Sequence, residues 1–232
     1  MDLNSIILIG FYIAILIYTI IIHEVAHGFV ALWLGDPTAK YAGRLNFNPI
    51  KHIDIWGSII VPFAMFISTG FAFGWAKPVP YNPYNLKNQK WGPVAVAFGG
   101  PGANIAIALI SAIIAKIIPI STAVKMAIIS GIAGTSWEQL SAAISGSVGS
   151  IFFAILMIVI FWNVLLAFFN LIPFPPLDGS KLLFAFLPIR TEIMIMLEQY
   201  GFILLLLFIF IFSKPLGIFL NFMLNIFFSL AL

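Results

Sequence analysis

Residues 3–28 read LNSIILIGFYIAILIYTIIIHEVAHG, and their order decides what kind of molecule this is. From position 3 to position 22 there is no charged residue, and about 20 apolar residues is what a helix needs to cross the hydrocarbon of a bilayer. The run does not end in a loop but on His23-Glu24-Val25-Ala26-His27. Ionisable side chains inside a membrane segment are costly and mark function. Positions four apart share a helix face, so the two imidazoles can share one metal ion, and the carboxylate between them can serve a water there. The pattern is that of a zinc peptidase set within a membrane.

Composition agrees. The 232 residues are 62% hydrophobic and 8% charged, with a mean hydropathy of +1.12, whereas soluble domains carry about 25% charged residues. A polytopic membrane protein is expected, in contact with the lipid bilayer throughout. The first apolar run is too long for a removable signal peptide and is expected to be retained. There is no cysteine, which excludes disulfides, thiolate metal sites and cysteine nucleophiles. Any metal must be held by His, Asp or Glu. The net charge of +3 is spread over loops between apolar runs, so it carries topology information and no nucleic-acid partner is expected.

Apolar runs occupy residues 6–34, 55–73, 94–118, 148–173, 193–213 and 215–232, which predicts an all-α fold of about five to six transmembrane helices. The run at 55–73 is interrupted by Gly57, Pro62 and Gly70, and both of its flanks are basic: Lys40, Arg44 and Lys51 precede it, and Lys77, Lys87 and Lys90 follow it. Basic flanks favour the cytoplasmic side, so the segment is expected to be re-entrant, with irregular backbone covered by protein. The N-terminus then lies outside and the C-terminus inside, and the helices at 6–34 and 148–173 run in the same direction. No appended soluble domain is expected, and residues 1–232 are expected to form a single membrane-embedded domain.

A catalytic zinc takes three protein ligands and leaves a fourth position open. Beyond His23 and His27 the candidates are His52 and Asp178. Asp178, in Asn170-Leu171-Ile172-Pro173-Phe174-Pro175-Pro176-Leu177-Asp178-Gly179, is the only aspartate after Asp54, and parallel helices bring it to the depth of the histidines. It reads equally as the N-cap of a helix beginning near Ser180. His52 with Asp54 reads as an interfacial capping pair or as a ligand. Asn104, Asn163 and Asn170 are amides within apolar runs, suited to interhelical hydrogen bonds or to orienting a substrate carbonyl. Gly99-Gly100-Pro101-Gly102 reads as a close-packing stretch.

His23-Glu24-Val25-Ala26-His27-Gly28, Gly100-Pro101-Gly102-Ala103-Asn104 and Asn170 through Gly179, ending in Leu177-Asp178-Gly179, together resemble the site-2 protease family of intramembrane zinc metalloproteases. Residues 43–54 and 73–80 resemble a compact prokaryotic branch without PDZ or CBS domains. The resemblance covers about residues 15–190. It implies a three-helix catalytic core within about residues 6–190, accessory helices over 193–232, one zinc per chain held by His23, His27 and Asp178, and Glu24 as the base. It also implies that a segment near residues 40–48 pairs with an unwound substrate.

The expected activity is therefore a zinc metalloendopeptidase cutting a peptide bond in or near a transmembrane helix of a membrane protein substrate, as in regulated intramembrane proteolysis. Glu24 takes the proton of the attacking water and passes it to the leaving amine, with Asn170 and Asn104 as candidates for orienting the substrate carbonyl. The expected location is the prokaryotic inner membrane, with the active site toward the cytoplasm. Two other classes compete: a metal-binding membrane transporter, disfavoured because no internal repeat is visible, and a non-catalytic membrane interaction protein, disfavoured because metal binding alone does not require Glu24.

Overall fold

The computed structural model describes residues 3–69, 74–134, 136–187 and 189–232. Of the re-entrant segment expected at 55–73, residues 70–73 lie outside the described residues. Every described element is helical. Among the described residues, four helices are long and apolar enough to cross a membrane: α1 (Leu3–Trp33), α2 (Gly92–Lys116), α3 (Val148–Asn170) and α4 (Gly201–Leu230). Two shorter apolar helices, Ile55–Ile67 and Thr122–Ala133, accompany them. The protein is an all-α polytopic membrane protein.

The last two apolar runs are distributed differently from the sequence expectation. A short helix, Thr191–Gln199, precedes α4, which continues through Lys214 and Pro215 to Leu230. Pro215 lacks the N–H that an unbroken helix needs, and Phe212 takes up the distortion with φ −104° and ψ 19°. The proline kinks one helix where the sequence suggested a boundary between two.

The chain divides into two compact units, residues 1–19 with 101–232, and residues 20–100. The core of the first is α3, whose Phe153, Ala154, Met157, Ile158, Ile160, Val164 and Ala167 have no exposed surface. A helix apolar on all sides belongs in the middle of a bundle. Around it pack Ala108, Ala112 and Ala115 of α2, Ile128 and Ile132 of the 122–133 helix, and Leu224, Phe227 and Phe228 of α4. The alanines are small enough to let helices approach closely. Trp162 Nε1 donates to Tyr12 O at 3.1 Å, and Lys125 Nζ reaches the carbonyls of Ala115, Lys116 and Ala231, so a buried ammonium satisfies carbonyls at two helix C-termini.

The second unit is built on loops that return to their starting points. Ile55–Ile60 is wound as a π-helix: the Val61 N–H reaches back five residues to Trp56 O, leaving Gly57 O to accept from the Trp75 N–H at 2.9 Å. The Lys77 N–H donates to His52 O at 2.9 Å. The chain that leaves at residues 52–57 thus comes back to them at 75–77. Glycine is required at the crossing, because a Cβ on Gly57 would stand 2.2 Å from Trp75 Nε1 and one on Gly74 would stand 2.4 Å from Gly57 O. Asp54 caps the excursion by accepting from the Gly57 N–H at 2.7 Å.

Asp36, wholly buried, ties the loop after α1 to residues 82–85. Oδ1 accepts from the Thr38 N–H (3.1 Å), Thr38 Oγ1 (2.5 Å) and Asn85 Nδ2 (2.8 Å), and Oδ2 accepts from the Asn82 N–H (2.6 Å). Burial by itself pushes this carboxyl up, but these donors favour the charged form and hold it below the ordinary value of 3.8.

Candidate metal centre

One turn of α1 separates His23 from His27. Their ring centroids are 4.6 Å apart with the planes at 88°, the arrangement expected of an i, i+4 pair on one helix face. His27 Nδ1 lies 2.7 Å from Val96 O. A carbonyl only accepts, so Nδ1 carries the proton and Nε2 is the nitrogen left for a metal. The Gly100 N–H, 3.3 Å from the same Nδ1, is then a close contact between two donors, and the shorter bond sets the tautomer.

Gly100 faces the imidazoles. A Cβ there would stand 2.5 Å from His27 Nε2 and 2.7 Å from His23 Nε2. The glycines of the 99–102 stretch therefore differ in role: Gly99 meets Val30 and the Ala26 carbonyl, Gly100 keeps the space before the ligand nitrogens clear, and Gly102 has nothing within 4 Å.

Glu24 turns its carboxylate to residue 79, where Oε2 accepts from the Val79 N–H at 2.9 Å. The two segments can come this close because Gly28 has no side chain; a Cβ there would lie 2.6 Å from Leu45 Cδ2 and 2.9 Å from Val79 Cγ1.

Asp178 follows the proline-rich turn after α3 and precedes the helix Gly179–Phe186. Its side chain makes no capping hydrogen bond to that helix. Gly179 holds the turn tightly against the end of α3, since a Cβ would fall 2.3 Å from Leu171 O. His23, His27 and Asp178 form a group able to hold one metal ion: each offers one ligand atom, and these atoms lie within 4.8 Å of one another. Two imidazoles and a carboxylate are a donor set of catalytic zinc sites, and the cradle at Gly100 leaves room before the nitrogens. Zinc fits.

The remaining candidates fall elsewhere. Asn104 is fully buried, and its Nδ2 donates to Asn163 Oδ1 at 2.7 Å; Asn163 Nδ2 in turn donates to Thr19 Oγ1 at 3.2 Å and Val159 O at 2.8 Å. Asn170 Nδ2 donates to Leu166 O at 2.9 Å, one turn back in its own helix, with the side chain half-buried. His52 is buried and its Nε2 lies 2.8 Å from Asn46 O; it caps no helix, a task that falls to Asp54 alone. Gly100 as a cradle and the Val79 N–H on Glu24 were not visible in the sequence. A run of glycines does not say which one faces the site, and a backbone donor has no residue-type signature, although prolines at 78 and 80 mark the segment as rigid.

A helical membrane body with a His-Glu-His face is that of a membrane-embedded metallopeptidase. The family model for Peptidase family M50 matches residues 11–213, and the chain belongs to that family. It is 34% identical over 212 residues to "Putative zinc metalloprotease YwhC" of Bacillus subtilis (strain 168), covering 90% of this chain and 83% of that protein. No solved structure matches. The protein is a zinc metalloendopeptidase and an integral membrane protein.

Proposed function

We propose that this peptidase cuts a peptide bond in or near a transmembrane segment of membrane protein substrates, as a step of regulated intramembrane proteolysis, with His23, His27 and Asp178 as the zinc ligands and Glu24 as the general base. The observation that carries the reading is depth. His23 and His27 lie inside the apolar span Ser5–Trp33, ten and six residues from its end, or about 15 and 9 Å along the axis at 1.5 Å per residue. A bond hydrolysed there must reach membrane depth, and the substrate helix must open locally because helical hydrogen bonds occupy its carbonyls.

When bound, zinc acidifies a water and polarises the scissile carbonyl. Glu24 supplies the proton path. With Oε2 held by the Val79 N–H, Oε1 takes the proton of the attacking water and delivers it to the leaving amine. Asn170, half-buried at the end of α3, is the more accessible of the two amides proposed to orient a substrate carbonyl, since Asn104 is fully buried. The basic loops, with Lys40, Lys51, Lys77, Lys87 and Lys90, support a water-accessible side at the cytoplasmic face of a prokaryotic inner membrane. Family membership removes the support for a transporter.

Glu24→Gln tests the reading. The amide keeps size and an acceptor for Val79 but is no base, so zinc content is expected to be unchanged while cleavage falls by about 10²–10⁴-fold. A Glu24→Gln protein that holds zinc and cleaves at the wild-type rate would refute it. Chelation is expected to abolish wild-type cleavage, and readdition of zinc to restore it.

A further inference from the structure

Arg44 is the residue of the 20–100 unit that the reaction does not yet use. Its side chain is buried, yet no carboxylate among the described residues pairs with it. Nη2 donates to Lys77 O at 2.6 Å and lies 3.5 Å from His52 Nδ1, at the outer limit of a hydrogen bond, and Nε has no partner. A buried cation without a counter-charge is costly, and a neutral side chain would fill the space with less desolvation. What Arg44 holds must matter.

It holds Lys77, whose N–H is also fixed, on His52 O at 2.9 Å. The Lys77 carbonyl and the Pro78 nitrogen share one rigid peptide plane, the Pro78 ring fixes φ, and Pro80 keeps Val79 extended. A single soft torsion, ψ of Pro78, separates the plane gripped by Arg44 from the plane carrying the Val79 N–H. That N–H is the donor to Glu24 Oε2. His52 is locked in turn: Nε2 faces Asn46 O, which only accepts, so Nε2 carries the proton and Nδ1 turns a lone pair to the guanidinium.

We propose that Arg44 and His52 are positioning residues for the peptidase reaction: by fixing Lys77 they aim the Val79 N–H at Glu24 Oε2 and hold the base in the pose that presents Oε1 to the attacking water. The proposal rests on Glu24 being the base. Neither residue belongs to the ligand group, so both act through the carboxylate and not through the metal.

The experiment compares Arg44→Leu, Arg44→Lys, His52→Leu, His52→Gln and Glu24→Gln in detergent. It reads zinc per chain, hydrogen–deuterium exchange over residues 74–80, and kcat and KM on a single-span fusion protein cut by the wild type. For Arg44→Leu and His52→Leu, exchange at 74–80 is expected to rise about tenfold or more and kcat to fall about 10–100-fold, with KM and zinc unchanged. His52→Gln, which keeps a donor and an acceptor, and Arg44→Lys, which can still reach the Lys77 carbonyl, are expected to recover much of both. Unchanged exchange at 74–80 overturns the proposal, as does a loss of kcat that tracks zinc loss or general unfolding, because that is what a merely structural role predicts. If Glu24→Gln cleaves normally, the base assignment fails first; if Glu24→Gln is inactive while Arg44→Leu keeps the wild-type kcat, only the positioning role fails.

Discussion

Replacing Gly100 by alanine puts the cradle of the ligand pair to a direct test. The added methyl would stand 2.5 Å from His27 Nε2 and 2.7 Å from His23 Nε2, and ordinary contacts begin near 3.4 Å. The rings or α2 must therefore separate by about 0.9 Å (3.4 − 2.5) at His27 and about 0.7 Å (3.4 − 2.7) at His23. Zinc–nitrogen bonds are about 2.0–2.1 Å and tolerate about ±0.2 Å, so the displacement is several times what coordination allows. His27 cannot swing away without losing its 2.7 Å bond to Val96 O. A fall in zinc affinity of at least about 10–100-fold is expected, the scale of disturbed metal-site support, read by competition with a chelator on the detergent-solubilised protein. Helix propensity pushes the other way: Gly→Ala inside a helix ordinarily stabilises by about 0.5–1 kcal/mol. Gly102→Ala, with nothing within 4 Å, is the control and is expected to bind zinc as the wild type does. A Gly100→Ala protein more thermostable than wild type, with undiminished zinc affinity, would show that the cradle is not there.

Other perturbations separate the remaining roles. His23→Ala or His27→Ala is expected to lose most of the zinc and Asp178→Ala to weaken it, whereas His52→Ala keeps it; metal analysis showing full occupancy in His23→Ala would remove the ligand assignment. The cysteine-free chain permits labelling of single cysteines: those replacing Lys40 and Lys87 are expected to be shielded from an impermeant thiol reagent in intact cells and one replacing Glu138 to react, and opposite labelling of positions 40 and 87 would make 55–73 an ordinary span. Asp36, with its pKa held below 3.8 in the folded state, contributes stability that is complete above the unfolded value and is lost as pH falls through the folded one. Wild-type thermal stability is therefore expected to drop on acidification below about pH 4 by more than that of Asp36→Asn, which is already weaker at neutral pH by at least about 1.5–3 kcal/mol, the worth of one or more bonds to a charged group; parallel pH profiles would contradict this.

The parts of the protein legible in the sequence are those whose signal is local. An i, i+4 histidine pair within an uninterrupted apolar run fixes helix, face and chemistry within a few turns, and the Trp75–Gly57 and Lys77–His52 hydrogen bonds bring together the two ends of the stretch whose basic flanks suggested re-entry. Where two local signals compete, the sequence does not arbitrate. Pro215 denotes either a boundary or a kink, and α4 takes the kink because its apolar face continues into the core at Leu224, Phe227 and Phe228. Asp178 stands at the N-cap position of the helix Gly179–Phe186 without a capping side-chain bond and is one of a group that could hold a metal ion, two roles between which its place in the sequence does not choose.

What stayed hidden is carried by backbone. The extended stretch after the excursion donates from alternate residues, Trp75 to Gly57 O, Lys77 to His52 O and Val79 to Glu24 Oε2, the period of two that an extended chain gives. Its register is set at Trp75, where Gly57 and Gly74 let two backbones cross, and is carried four residues on to Glu24, the proposed base. None of these three donors is a side chain, so no residue type at 75, 77 or 79 announces the contact, and the prolines at 78 and 80 only say that the segment is stiff. Stiffness is the point: a base that must offer one oxygen in a fixed direction is better held by a rigid chain than by a flexible side chain, which loses rotamer entropy on being fixed. The chain that returns to Gly57 and His52 at Trp75 and Lys77 thereby also delivers the amide that meets Glu24.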